Sequence, residues 1–212
     1  MDNLRKDGYP VIIPAVKNLV RTEEKFSLPE TLAVSAPEGV DLGGLEQTFS
    51  RRFGGKAVRS NGGQLRFILT EENVPENKEG YTLEIGRSGV TVRARSLQGL
   101  HQGMQSLRWM IRNAEKRELK GCRITDFPDL AIRGVFLELN SLPPEKVDKL
   151  CEAIEIYSQL KYNTLLIDFG DNFPLKNNPY TLRKFTLSLS DIQKIQAACR
   201  KNHMEIIPFI QA

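Results

Sequence analysis

Apolar and polar positions alternate most cleanly between Tyr81 and Ala94. Tyr81, Leu83 and Ile85 stand among polar neighbours, Arg87-Ser88-Gly89 interrupts them, and Val90, Val92 and Ala94 resume the rhythm. A period of two on both sides of a glycine turn predicts a β-hairpin with one buried face. The period then changes. Leu97, Leu100, Met104, Leu107 and Ile111 recur every three or four residues behind Ser96. That spacing predicts an amphipathic helix, capped by the serine and packed on the hairpin, with Met104 and Trp109 as core and rim. Upstream, Leu42, Leu45, Phe49 and Phe53 predict a helix from Asp41 to Phe53, with Asp41 as its N-cap and Gly54-Gly55 as its stop. Glu30–Ala36 and Leu65–Leu69 read as strands, and Val11–Val16 as an apolar run broken by Pro14.

After Ile124-Thr125-Asp126-Phe127-Pro128-Asp129 the order becomes strictly strand, helix, strand. Val135–Leu139, Thr164–Phe169 and Glu205–Ile210 are near-continuous apolar runs. Between them lie a helix opened by Pro143-Pro144, with Val147, Leu150, Cys151, Ile154 and Tyr157 inward, and a helix carrying Ile192, Ile195 and Cys199. A capping box is expected at Ser190 and Gln193. Strands apolar on both faces and joined by crossover helices predict a parallel sheet. Three strands do not close an eight-stranded barrel, which takes about 250 residues. The expected fold class is therefore α/β: an α+β accessory domain over 1–126, then an incomplete TIM-type β/α barrel over 127–212, the start of a larger protein.

Composition narrows the chemistry. The 212 residues carry 30 basic and 26 acidic side chains, a net +4, with the basic residues scattered rather than gathered in a stripe. A nucleic-acid partner is not expected, and no apolar run is long enough for a membrane span. Cys122, Cys151 and Cys199 are too widely spaced for a metal knuckle and odd in number, so buried small hydrophobes are expected, without a metal or cofactor. His101 is expected on the surface of its helix, and His203 at a helix end; neither supports a histidine-based triad.

The run Glu79-Gly80-Tyr81-Thr82-Leu83-Glu84-Ile85 leads to Gly89-Val90-Thr91-Val92, Ala94, Leu97-Gln98-Gly99-Leu100 and Gly103-Met104-Gln105-Ser106-Leu107. This series resembles the N-terminal, non-catalytic domain of family 20 glycoside hydrolases, the β-N-acetylhexosaminidases. Ile124, Asp126, Pro128, Arg133 and Gly134 match the family's junction into its barrel, Tyr162-Asn163 precedes the second barrel strand, and Ile207-Pro208-Phe209-Ile210-Gln211 is similar to the third. The resemblance runs from Val11 to Ala212. It implies a retaining exo-glycosidase in which the substrate's own 2-acetamido oxygen attacks the anomeric carbon, an exception to the usual two-carboxylate scheme. It also implies that the catalytic Asp-Glu pair follows a fourth strand, beyond Ala212, so that this chain alone is inactive. It further implies export to the periplasm or cell surface of a bacterium, which is common among relatives of this architecture.

Two positions depart from the family pattern. Ser141 stands where an arginine ordinarily grips sugar hydroxyls, and a hydroxyl cannot reproduce that bidentate fork. The second strand ends Leu166-Ile167-Asp168-Phe169-Gly170-Asp171 without the family's histidines, although Asp171 matches its aspartate. The alternative to a hydrolase is a divergent, non-catalytic module that binds a glycan or a protein. In the barrel, Phe136, Glu138 and Asn140 share one side of the first strand, and Leu166, Asp168 and Gly170 one side of the second. Acidic groups in apolar strands are costly to bury unless paired or solvated. Glu138, Asp168 and Asp171 are therefore the candidate sugar contacts, with Gln211 near the end of the third strand; the alternative for Glu138 and Asp168 is structural hydrogen bonding or pairing with Arg133. Arg133, at the opposite end, reads as structural. An unpaired third strand also predicts dimerisation through the open sheet.

Overall fold

The computed structural model describes residues 11–139, 143–170, 173–174 and 186–209. It divides into two compact units, one ending at Asp129 and one beginning at Leu130.

The first unit is a seven-stranded mixed sheet. Its strands are β1 (Asn18–Ser27), β2 (Thr31–Ser35), β3 (Lys56–Arg59), β4 (Leu65–Leu69), β5 (Tyr81–Gly86), β6 (Gly89–Ala94) and β7 (Glu118–Asp126), in the order β1-β7-β5-β6-β4-β2-β3. The β5–β6 hairpin is antiparallel, pairing Tyr81 with Ala94 and Gly86 with Gly89. Gly89, at φ +139°, lies where an added Cβ would stand 2.0 Å from the Gln64 carbonyl oxygen, so the turn needs glycine. Helices α1 (Gly43–Phe53) and α2 (Leu97–Asn113) cover the sheet face that carries Tyr81, Leu83, Ile85, Val90 and Val92.

Helix α2 begins as its sequence predicts, with the Ser96 side chain accepting from the Gly99 N–H at 3.1 Å, a cap worth about 1 kcal/mol. Two glycines set its depth. A Cβ at Gly103 would stand 2.4 Å from Val92 Cγ1, and one at Gly99 2.5 Å from the Gly80 carbonyl oxygen. The helix axis thus approaches the β5–β6 hairpin more closely than side chains would permit. Polar groups in this core are partnered. The buried Tyr81 hydroxyl donates to Asp126 Oδ2 at 3.1 Å and meets Ser106 Oγ at 2.6 Å, while Asp126 Oδ1 accepts from the Lys17 N–H. One carboxylate therefore ties the end of β7 to β5 and to the chain entering β1.

Several local expectations shift. Helix α1 starts at Gly43; Asp41 accepts from the Gly43 N–H at 2.9 Å but does not cap the helix, whose N-cap position is Leu42. His101 is buried, its Nε2 2.9 Å from Gln105 Nε2, because α2 is enclosed on most of its circumference. Gln105 Oε1 in turn accepts from the buried Arg108, whose Nε donates to Thr48.

The second unit is a three-stranded parallel sheet, β10-β9-β8, of β8 (Gly134–Glu138), β9 (Thr164–Asp168) and β10 (Glu205–Phe209). Helices α3 (Val147–Gln159), entered through a 3-10 turn at Pro144–Lys146, and α4 (Leu189–Lys201) connect the strands. Val147, Leu150, Ile154, Ile192, Ile195 and Cys199 pack with Leu165 and Ile167 in one core. The capping box of α4 lies two residues before the expected place: Ser188 accepts from the Asp191 N–H, and Asp191 accepts from the Ser188 N–H.

Candidate functional site

The register of the parallel sheet fixes which side chains share its open face. Phe136 pairs with Leu166 and Leu166 with Ile207; Glu138 pairs with Asp168 and Asp168 with Phe209. The alternate residues Val135, Leu137, Leu165, Ile167 and Ile206 belong to the core under α3 and α4. The open face is thus an apolar floor edged, at the C-terminal ends of the strands, by two carboxylates. Phe136, Ile207 and Phe209 are 48 %, 38 % and 42 % exposed. The rings of Phe136 and Phe209 meet edge to face, 5.7 Å between centroids.

The two described candidates differ in setting. Glu138 is exposed. Asp168 is 5 % exposed, and its Oδ1 accepts from the Gly170 N–H at 2.8 Å. This Asx turn folds the chain away from β9, with Gly170 at φ +48°. The Asp168 carbonyl also accepts from the Leu139 N–H at 2.7 Å, anchoring the end of β8. The pair therefore offers one solvated acceptor and one positioned acceptor beside aromatic edges, an arrangement able to accept hydrogen bonds from hydroxyls. Asp171, Ser141, Asn140 and Gln211 lie outside the described residues. Arg133 holds the opposite end of the sheet. Its guanidinium donates to the Lys161 carbonyl at 2.7 Å and the Leu130 carbonyl at 2.6 Å, and its N–H donates to Asn163 Oδ1.

Cys122 and Cys199 are buried and Cys151 partly so. Burial pushes the Cys122 and Cys199 thiols up to about 12, far from nucleophilic use at neutral pH. Among the described residues no group of three or more His, Cys, Asp or Glu could hold a metal ion, and no helix is long and apolar enough to cross a membrane.

Both units have counterparts among known proteins. The chain is 37 % identical over 81 residues to Hexosaminidase D of Homo sapiens and 36 % identical over 81 residues to that of Bos taurus. These stretches are 38 % of this chain but 16 % and 23 % of those proteins. The fold superposes on N-acetyl-beta-hexosaminidase of Streptomyces plicatus with a TM-score of 0.78 at 20 % identity, covering 98 % of this chain and 47 % of that one. For beta-N-acetylhexosaminidase of Bacteroides fragilis the TM-score is 0.74 at 18 % identity, over 94 % of this chain and 44 % of that one. At such identities the superpositions speak for the fold alone. The matched stretches span less than half the length of each of these relatives. The family model described as glycosyl hydrolase family 20, domain 2 matches residues 9–127, more than half of the 212. That match takes in the hairpin, its glycine-set helix and the Tyr81–Asp126 tie, and by it the chain belongs to glycoside hydrolase family 20.

Proposed function

We propose that this chain is the N-terminal part of a retaining exo-β-N-acetylhexosaminidase: an accessory domain over 1–126, and the opening strands of the catalytic barrel over 127–212. The observation that carries the reading is the β8–β9–β10 sheet. Its three strands are parallel, its helices lie on one face, and its apolar open face ends in acidic residues at the strand C-termini, where barrel enzymes hold their substrates.

In this reading Glu138 and Asp168, with Asp171 after them, accept hydrogen bonds from sugar hydroxyls, and Phe136 and Phe209 lie against the apolar side of the ring. The acetamido oxygen of the substrate attacks its own anomeric carbon while a carboxylic acid protonates the leaving oxygen. A second carboxylate orients the acetamido group. That acid and that carboxylate belong to a fourth strand outside this chain, so the chain alone does not hydrolyse. The substrate is a glycan or glycoconjugate ending in a β-linked N-acetylhexosamine.

The test is release of p-nitrophenol from its N-acetyl-β-glucosaminide. The 212-residue chain should show none, and a longer chain completing the barrel should show turnover with retained anomeric configuration. Glu138→Gln and Asp168→Asn in the longer chain should raise KM. Turnover by the 212-residue chain would overturn its assigned inactivity, and inverted product would overturn the mechanism.

A further inference from the structure

The face of the first sheet opposite α1 and α2 has no part in this reading. Register places Thr125, Thr82 and Arg93 in one row across β7, β5 and β6. The next row runs Arg123, Glu84, Thr91 and Arg66. Over these rows lies a depression of about 590 Å³, walled by the chain leaving β4 at Thr70, Glu72 and Asn73. Its size falls within the roughly 300–1,000 Å³ of small-molecule sites.

The floor is ordered by charge. Glu84 Oε1 accepts from Arg123 at 2.9 Å, and its Oε2 lies 3.6 Å from an Arg93 nitrogen. The carboxylate thereby lies between two guanidinium groups, hydrogen-bonded to Arg123 and ion-paired with Arg93, and each guanidinium carries five donors. Thr82 and Thr125 stand in the neighbouring row, and Thr70 lines the wall. The depression is lined by two arginines and two glutamates, Glu84 and Glu72, so the formal charges cancel. Among the lining residues Ile68 is the one large apolar side chain, and no aromatic ring offers a stacking platform. A site with balanced donors and acceptors, no net charge and no flat apolar surface suits a ligand that is neutral and dense in hydroxyl and amide groups.

We infer that this depression binds a neutral saccharide, an N-acetylhexosamine unit of the glycan whose end is hydrolysed elsewhere in the protein. The choice of sugar rests on the proposed hexosaminidase function; the hydrogen-bonding grid does not. Held here, one unit of a long glycan would keep the remainder of the strand near the protein between successive hydrolytic events.

The test is titration of the 15N-labelled 212-residue chain with chitotetraose. Saturable shifts are expected at the Thr82, Glu84, Arg93 and Thr125 amides, with little change in 0.5 M NaCl. Arg123→Gln and Glu84→Gln should each weaken binding about tenfold, since each removes a charge-assisted hydrogen bond. Thr82→Val keeps the strand preference and should weaken it less. Unperturbed amide spectra away from the face show that the variants remain folded. Absence of saturable binding, or binding indifferent to all three variants, overturns the proposal. So does tighter, salt-sensitive binding of a hyaluronan tetrasaccharide, which would make the depression an anion site. The titration involves no hydrolysis. A longer chain that fails to turn over N-acetylglucosaminides defeats the hexosaminidase reading and leaves this result intact.

Discussion

Among the described residues both sheets carry two helices on one face and no helix or strand on the other, yet the two uncovered faces are made of different residues. In the first unit the uncovered face of β5, β6 and β7 is threonine, arginine and glutamate, held in ion pairs and hydroxyl contacts, with Val20 of β1 and Ile68 of β4 at its margins. In the second it is Phe136, Leu166, Ile207 and Phe209, with carboxylates at one edge only. Water satisfies the first face as it stands. The second leaves apolar area in contact with water, at about 25 cal/mol per Å². A sheet in contact with solvent alternates polar and apolar residues, as β5 and β6 do, whereas a sheet enclosed on both sides does not, and β8, β9 and β10 follow the second rule. The first face is composed as a surface and the second as an interior with a polar rim.

The strongest way to break this contrast is to truncate one side chain on each sheet. Leu83→Ala, within the core of the first unit, should cost about 2–5 kcal/mol. It would be read as an earlier urea midpoint in the fluorescence of Trp109, the single tryptophan of the chain. Phe136→Ala, on the uncovered face, should lower stability by well under half as much. Phe136→Ser combined with Phe209→Ser should also reduce self-association in sedimentation, since it removes the exposed aromatic pair. Equal losses from Leu83→Ala and Phe136→Ala would mean that the second face is as enclosed as the first core.

How far this arrangement can be read from sequence depends on how much each element buries. The β5–β6 hairpin, α2 with its Ser96 cap, and the succession β8, α3, β9, α4, β10 are all legible, because each buries a regular stripe. Strand β1 is not legible. Its sequence NLVRTEEKFS buries Phe26 alone, since it is the edge of the sheet, and a charged edge strand carries no alternation. Strand β7 buries Gly121 and Cys122 in succession, and this break in phase between Leu119 and Ile124 hides its alternation. His101 reads as a surface residue because helical periodicity assumes one buried side, whereas α2 is enclosed on nearly all of its circumference. At the candidate site, the shared face of Glu138 and Asp168 follows from strand periodicity. The Asx turn that withdraws Asp168 from water depends on the loop after β9 and leaves no periodic trace. The grid around Glu84 is legible only as the solvated half of a hairpin; its pairing with Arg123 requires knowing that β7 lies beside β5.

A smaller effect sharpens the first half of the contrast. Gly103→Ala places a methyl 2.4 Å from Val92 Cγ1 and 3.0 Å from the Tyr81 ring. Overpacking of this kind costs about 1–3 kcal/mol. It opposes the gain of up to about 1 kcal/mol that alanine ordinarily brings to a helix interior. Gly62→Ala, where an added Cβ meets nothing within 4 Å, should change stability by no more than about 0.5 kcal/mol. Thermal unfolding of the two variants separates them. A stabilised Gly103→Ala would mean that the close approach of α2 to the hairpin is not what holds the first core together.

The smallest expected effect tests whether the polar face of the first sheet is an ordered network or loose surface charge. The hydrogen bond from Arg123, aided by the charges of Arg123 and Arg93 and opposed by partial burial, holds the Glu84 carboxyl below its ordinary value of 4.5. A depressed folded value means that the folded state favours the ionised form. The contribution to stability is then complete above about pH 4.5 and is lost as pH falls through the depressed value. The side chain is about half-exposed, so screening keeps that contribution below about 1 kcal/mol. Wild type and Glu84→Gln should accordingly have similar stability at the acid end and separate as pH rises through the depressed value towards 4.5, wild type being the more stable, with the gap level above 4.5 and narrower in high salt. A gap that is constant with pH would assign the effect of the substitution to packing. No gap at any pH would mean that the two arginines and Glu84 share the face without being coupled.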